Sequence, residues 1–353
     1  LSSLCGLIDC PIRQFNILRL FTEMNMTDAI DHPASFVYDQ ALIWDNHAGF
    51  ESRPDVDLSQ LNHWRASGAS FVSVNAGYDV RPWTNTIHTL AHVRRWIMAR
   101  PNDYLLARNT ADILQARSDG RLAIAFDIEG MEALDGNIDM IQLYYDLGVR
   151  QMLFAYNRNN SAGGGCHDED TGLTPFGRSV VEEMNRVGML VDCSHSAYRT
   201  TMDAMELSES PVTFSHSNPK TLCDHPRNIT DDQIRSCAAT GGVIGINGIG
   251  KFLGDSIEPE HYVDHIEYTA DLVGARHVGV ALDYSDGSDD LQDAITGQSN
   301  FWPPQWYSGK MEFMAPNRLI DVVDIMLRRN FSSEDITGIL GGNFFALAQR
   351  VWV

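Results

Sequence analysis

The sequence predicts an α/β fold, a closed (β/α)8 barrel of the TIM type. Three observations predict it: eight short apolar runs recur along the chain, stretches of helical periodicity separate most of them, and chemically unusual residues follow a subset of the runs. The chain has 353 residues, 44% hydrophobic and 21% charged, which suits one large domain with an ample core.

The strand candidates, in order, are "ALIWDN" (41–46), "SFVSVNA" (70–76), "LAIAFDI" (122–128), "RQMLFAY" (150–156), "MLVDCS" (189–194), "PVTFSH" (211–216), "GVIGIN" (242–247) and "HVGVALD" (277–283). Continuous apolar runs of this length are the mark of strands buried on both faces, as in a parallel sheet covered by helices. Between them, "GLTPFGRSVVEEMNRVGM" places Thr174 at an N-cap with Pro175 at the first helical position. "ITDDQIRSC" carries a capping box from Thr230 to Gln233. "APNRLIDVVDIMLRRNF" and "SSEDITGILGGNFFALAQRV" read as closing helices. Residues 26–353 are expected to form the single barrel. Met26 of "MTDAIDHP" reads like a natural start, so residues 1–25 are expected to be an appendage, vector-derived or upstream sequence.

With 47 acidic and 26 basic residues the formal net charge is −21, which repels phosphate backbones and excludes nucleic acid as a partner. No run approaches the ~18 apolar residues of a membrane span, and the N-terminus lacks the layout of a secretory signal, so a cytoplasmic location is expected. The six cysteines are scattered without a CxxC pair and are expected to be reduced.

Barrel enzymes carry their chemistry at the C-terminal ends of the strands. Here the runs end at His47, at Glu129 of "FDIEG", at His195 of "VDCSHS", at His216 of "FSHS" and at Asp283 of "VALDYSD". Three histidines and two carboxylates on one rim make a ligand set suited to Zn²⁺. Taken singly, each has a structural explanation as a hydrogen-bonded strand end or helix cap; together they point to a metal site. His88 with His92 and His261 with His265 have helical spacing but lie on crossover helices and form no HExxH. "GIGKFLG" does not match GxGxxG, and no GxSxG occurs.

The series "DIEG", "GLTPFGRSVVEEMNRVGMLVDCSHS", "PVTFSHSNPKTLCDHPRNITDDQI" and "GVALDYSDG" resembles the membrane dipeptidase family, peptidase family M19 of the amidohydrolase superfamily, from about residue 40 onward. The resemblance implies a dipeptidase built on a barrel with two zinc ions, often accepting a D-residue at the C-terminal position. It implies that Glu129 bridges the metals, that His195 and His216 hold the second, and that His47 serves the first. Asp283 corresponds to the acid/base carboxylate and Arg227 to the arginine that holds the substrate's carboxylate. Tyr156 stands where the vertebrate enzyme polarises the scissile carbonyl with histidine.

One departure matters. The family's His-x-Asp is His47-Ala48-Gly49 here, so the first metal binds weakly, takes a water in place of the carboxylate, or is absent. Asp45, Glu51 or water are the candidate substitutes. The same departure motivates two competing expectations: a hydrolase of N-acyl or modified amino acids, and a catalytically impaired relative with a binding role. The stretch after the last strand, with Trp302, Trp306 and Tyr307, is expected to wall the side-chain pocket or to form a homodimer contact.

Overall fold

The computed structural model describes residues 33–286 and 289–352; the segment 1–25 lies outside them. Nine parallel strands form one sheet: β1 (Trp44–Ala48), β2 (Phe71–Tyr78), β3 (Tyr104–Leu106), β4 (Leu122–Glu129), β5 (Val149–Leu153), β6 (Leu190–Asp192), β7 (Thr213–Phe214), β8 (Val243–Asn247) and β9 (Val278–Ala281). The order is β1-β2-β4-β5-β6-β7-β8-β9, with β3 paired to the side of β4. Each of the eight predicted runs overlaps one strand of that path. The extra strand β3 escaped prediction because three residues flanked by Asp103 and Arg108 carry no periodic signal.

Closure is made beyond β9. Asp283 N–H donates to the His47 carbonyl at 3.0 Å, and Gly49 N–H donates to the Tyr284 carbonyl at 3.1 Å. Asp45 Oδ1 accepts from Leu282 N–H at 2.9 Å, while its Oδ2 accepts from the Trp64 indole at 2.7 Å. Asp45 thus seals the barrel.

The shortness of β6 and β7 also has a local cause. Asp192 Oδ1 accepts from the backbone N–H groups of Ser194 and Ser215, both at 2.9 Å, so a carboxylate takes over from the ladder where β6 and β7 end.

Helices cover the outside, among them Trp83–Met98, Pro175–Val187, Asp231–Ala239, Pro259–Val273 and Leu319–Arg328. Thr174 caps its helix by accepting from Gly177 N–H, and the Thr230–Gln233 box is complete in both directions. Replacing Thr174 by Ala is expected to lower stability by about 1 kcal/mol, measured as a shifted urea midpoint at unchanged m-value. The last predicted helix is broken: Ser333–Thr337 and Asn343–Val351 flank a π-helical stretch. A Cβ at Gly341 would stand 2.1 Å from the Leu42 carbonyl oxygen, so glycine lets this stretch press against the chain entering β1.

The main core cluster holds Trp64, Phe126, Tyr144, Phe214 and Tyr262, all fully buried. Cys166, Cys193, Cys223 and Cys237 are free thiols. Cys193 is buried, and burial raises its pKa well above the usual thiol value, which suits a packed strand position. Among the described residues no helix is long and apolar enough to cross a membrane.

Candidate metal centre

The strand ends bring His47, Glu129, His195, His216 and Asp283 together. Each is supplied by a different strand or by the turn that follows it. Six non-glycine residues among those described adopt positive φ, and three of them are here: Asn157 (64°), His195 (63°) and Asp283 (51°). The chain turns sharply at these positions to aim side chains into the barrel mouth.

Glu129 is the centre of the arrangement. Its Oε1 lies 3.3 Å from His195 Nε2, 3.3 Å from His216 Nε2 and 3.7 Å from His47 Nε2. The partner of each distal histidine nitrogen sets its tautomer. His195 Nδ1 is 2.7 Å from Asn157 Oδ1, an acceptor, so Nδ1 carries the proton. His216 Nδ1 is 2.7 Å from Ser215 Oγ, whose own proton goes to Asp192 Oδ2. Both Nε2 lone pairs therefore point at a carboxylate oxygen, and the two nitrogens are only 2.9 Å apart. Glu129 Oε1 is buried without a hydrogen-bond donor. Three buried ligand atoms, two imidazole Nε2 and Glu129 Oε1, face one another with no hydrogen bond to Oε1 from any other group, an arrangement that fits a divalent cation. The donor set of two imidazoles and a carboxylate fits Zn²⁺.

A second group overlaps the first: His47, His216 and Asp283 also present ligand atoms within 4.8 Å of one another. His47 Nδ1 faces Asp127 Oδ1 at 3.2 Å and its Nε2 faces Asp283 Oδ1 at 3.4 Å. Burial alone would lower the His47 pKa, but Asp127 and Glu129 overcome it and hold it well above the usual histidine value. His195 and His216 are pushed well below that value by burial and by the charges of Arg227 and His47, so both are neutral and available as ligands. Burial also raises the Glu129 pKa well above the carboxylate range, the largest of several opposing effects.

Position 49 has a geometric answer. A Cβ on Gly49 would lie 2.9 Å from Asp283 Oδ1 and 3.1 Å from the Asp283 carbonyl oxygen. Asp283 fills the space where a side chain at 49 would begin. Asp45 is committed to closing the barrel, and Glu51 faces Arg53 and Arg81, each at 3.4 Å. Neither supplies the missing carboxylate here. The Gly49→Asp variant is therefore expected to displace Asp283 and lower thermal stability, which a melting curve of the metal-free protein measures.

Several contributors went unrecognised in the sequence. Asp127 lies two residues before Glu129 on the same inward face, so the strand period could have found it. Asn75 on β2 donates to Glu129 Oε2 at 3.0 Å and to Asp127 Oδ1 at 3.3 Å. Asn247 at the end of β8 donates to Asp283 Oδ2 at 2.9 Å. Asp79 accepts from the backbone N–H groups of Tyr156 (3.1 Å) and Glu132 (3.0 Å), while its own N–H donates to the Glu129 carbonyl (3.0 Å). A Cβ at Gly130, where φ is +120°, would collide with that carboxylate, which is the physical demand for glycine in "DIEG".

A cavity opens above these groups. Tyr156 lines it with its ring stacked on His195, centroids 4.3 Å apart, and Trp302 and Tyr307 also line it. Trp306 is not among the residues that line it. On the short helix Pro304–Tyr307, successive side chains point about 100° apart. Tyr307 faces inward, so Trp306 stands 36% exposed, edge-on to His225. Arg227 also does not line the cavity. It is buried, donates from Nη2 to the His216 carbonyl at 3.1 Å and leaves its Nε without a partner. Phe252, over which its guanidinium lies at 5.4 Å, forms the wall beside it. The two helical histidine pairs join no group of metal-ligating atoms among the described residues.

An uncharacterized dipeptidase of Schizosaccharomyces pombe is 30% identical over 280 residues, covering 76% of this chain and 62% of that one. The chain thus spans about six tenths of that relative's length. In structure, an amidohydrolase from Pseudomonas aeruginosa superposes with a TM-score of 0.82 at 24% identity, covering 90% of this chain and 99% of the other. A metallo peptidase from Rhodobacter sphaeroides, liganded with a phosphinate mimic of the dipeptide L-Ala-D-Ala, superposes at 0.73 with 20% identity, covering 88% and 99%. The family model described as membrane dipeptidase (peptidase family M19) matches residues 16–301. The chain, with a barrel whose mouth gathers these histidines and carboxylates, belongs to the membrane dipeptidase family, peptidase family M19.

Proposed function

We propose that the protein is a zinc-dependent dipeptidase, acting on L-Xaa-L-Xaa and L-Xaa-D-Xaa dipeptides. The observation that carries this reading is Glu129 Oε1, buried without a donor and met by two imidazole lone pairs at 3.3 Å. Family membership supports the dipeptide substrate, and the ligand of the Rhodobacter sphaeroides structure supports acceptance of a D-residue.

Glu129, His195 and His216 would hold the better-defended ion, and His47 with Asp283 would contribute to a weaker one, because position 49 offers no carboxylate. Zn²⁺ bound there supplies Lewis acidity, polarising a carbonyl and lowering the pKa of a water to ~7. Asp283 takes the proton from the attacking water and returns it to the departing amine, with Asn247 fixing the carboxylate's orientation. Tyr156 donates its phenolic hydrogen to the developing oxyanion. Burial and the nearby Glu129 raise its pKa well above the usual phenol value, so it remains a donor. The unpaired Nε–H of buried Arg227 is a donor suited to a carboxylate; because Arg227 stands behind the cavity lining beside Phe252, a clamp on the substrate's C-terminus would require that wall to shift.

Metal analysis combined with a dipeptide panel tests the reading. At least about one equivalent of Zn²⁺ after loading, together with turnover of some L-Xaa-L-Xaa or L-Xaa-D-Xaa dipeptide, is expected. Stoichiometric zinc without dipeptide turnover would favour the N-acyl amino acid substrate, and little zinc with no turnover would favour the impaired relative that Gly49 suggests. For the clamp, Arg227→Ala is expected to raise KM for free-carboxylate substrates about 10-fold or more while sparing C-terminal amides. Equal losses on both would remove Arg227 from that role.

A further inference from the structure

The lining of the cavity, among the described residues, divides into two chemistries. Apart from tyrosines, the ionisable residues lining it are His47, Glu51, Glu129, His195 and Asp283, and no lysine or arginine is among them. The rest of the lining is largely apolar. Ile249 and Phe252 follow β8, and Ile295, Trp302, Met311 and Phe313 come from the segment after β9. These side chains pack with Tyr156 and Tyr307 into a cluster separate from the barrel core.

The wall is anchored rather than loosely draped. Ile249 and Phe313 form an antiparallel bridge, flanked by Gly250 N–H to the Glu312 carbonyl (3.0 Å) and Met314 N–H to the Gly248 carbonyl (3.0 Å). Met311 N–H donates to Gln292 Oε1 at 3.2 Å. Beside Trp302, the Phe301 carbonyl accepts from Asn157 Nδ2 at 2.9 Å, and Asn157 Oδ1 is the group that orients His195. One asparagine thus joins the wall to the metal centre.

We propose that this wall is a subsite for a large apolar side chain, and that the preferred substrates are dipeptides with a residue such as Leu, Met or Phe in at least one position. The inference rests on the dipeptidase reading and narrows it. A buried apolar wall rewards each matching methylene with a gain of about 10-fold or more in specificity. An acidic side chain there would leave water without a partner and would share the cavity with the carboxylates of Glu51, Glu129 and Asp283.

The experiment uses the zinc-loaded protein with two dipeptide series, L-Ala-L-Xaa and L-Xaa-L-Ala, where Xaa is Gly, Leu, Phe or Asp. In at least one series kcat/KM for Leu or Phe is expected to exceed that for Gly by about 10-fold or more, with Asp poorer still. Met311→Ala and Trp302→Ala are each expected to shrink that ratio. Binding of phosphinate dipeptide mimics bearing a methyl or a benzyl side chain gives a readout that needs no turnover, and the benzyl compound is expected to bind about 10-fold tighter or better. Hydrolysis of dipeptides without any Leu or Phe preference overturns the subsite and leaves the dipeptidase reading standing. Tighter binding of the benzyl mimic without hydrolysis of any dipeptide supports the subsite and overturns the dipeptidase reading. Equal binding of both mimics without hydrolysis overturns both.

Discussion

Glu129→Gln is expected to abolish tight zinc binding and to lower kcat/KM by about 10³-fold, equivalent to about 4 kcal/mol of lost charge stabilisation. The geometry makes the variant informative in two directions. Glu129 Oε2 accepts from Asn75, a bond that a glutamine carbonyl oxygen retains. The amide nitrogen would then replace Oε1, opposite the Nε2 atoms of His195 and His216, each 3.3 Å away. It would donate towards those nitrogens and leave no charge to bury, so the metal-free variant is expected to be at least as stable as the metal-free parent. Zinc content by elemental analysis and urea unfolding of the metal-free proteins check the two halves. A variant that binds zinc as tightly as the parent would falsify the assignment of Glu129 as a ligand.

The second large effect is expected at Asp283. In Asp283→Asn the side chain can no longer accept a proton, and kcat should fall by about 10²- to 10⁴-fold, the range for a general acid/base. KM and the zinc held by Glu129, His195 and His216 should change little, because Asp283 belongs to the overlapping group with His47 and His216. Steady-state kinetics together with zinc stoichiometry separate this outcome from a structural one. A variant retaining kcat within 10-fold of the parent would remove Asp283 from proton transfer, and a variant losing all zinc would make it chiefly a ligand.

Much of the fold was legible because its signals are local. The runs ending at His47, Glu129, His195, His216 and Asp283 are buried on both faces and therefore continuously apolar, and the Thr174 and Thr230 caps are written in three or four neighbouring residues. β3 was not legible, since its three residues are defined by pairing with β4 rather than by any pattern of their own. Asp127, Asn75, Asn247 and Asp79 were missed for a related reason. Each reads as an ordinary polar residue until folding brings its partner alongside, as with Asn75 on β2 and Glu129 on the neighbouring β4, 54 residues apart. Composition marks the tryptophans of the last segment alike, whereas the pitch of the short helix Pro304–Tyr307 decides that Tyr307 rather than Trp306 lines the cavity.

The sequence by itself determined the barrel class, the strand order and the five rim residues, because hydrophobic period, capping chemistry and strand ends are properties of neighbouring positions. The tertiary structure alone decided which oxygen is left without a donor, which nitrogens carry lone pairs, that Asp45 closes the barrel instead of serving a metal, and that Asp283 fills the space beside Gly49. Those outcomes depend on distances and hydrogen-bond partners between residues far apart in the chain, which exist only once the barrel has closed.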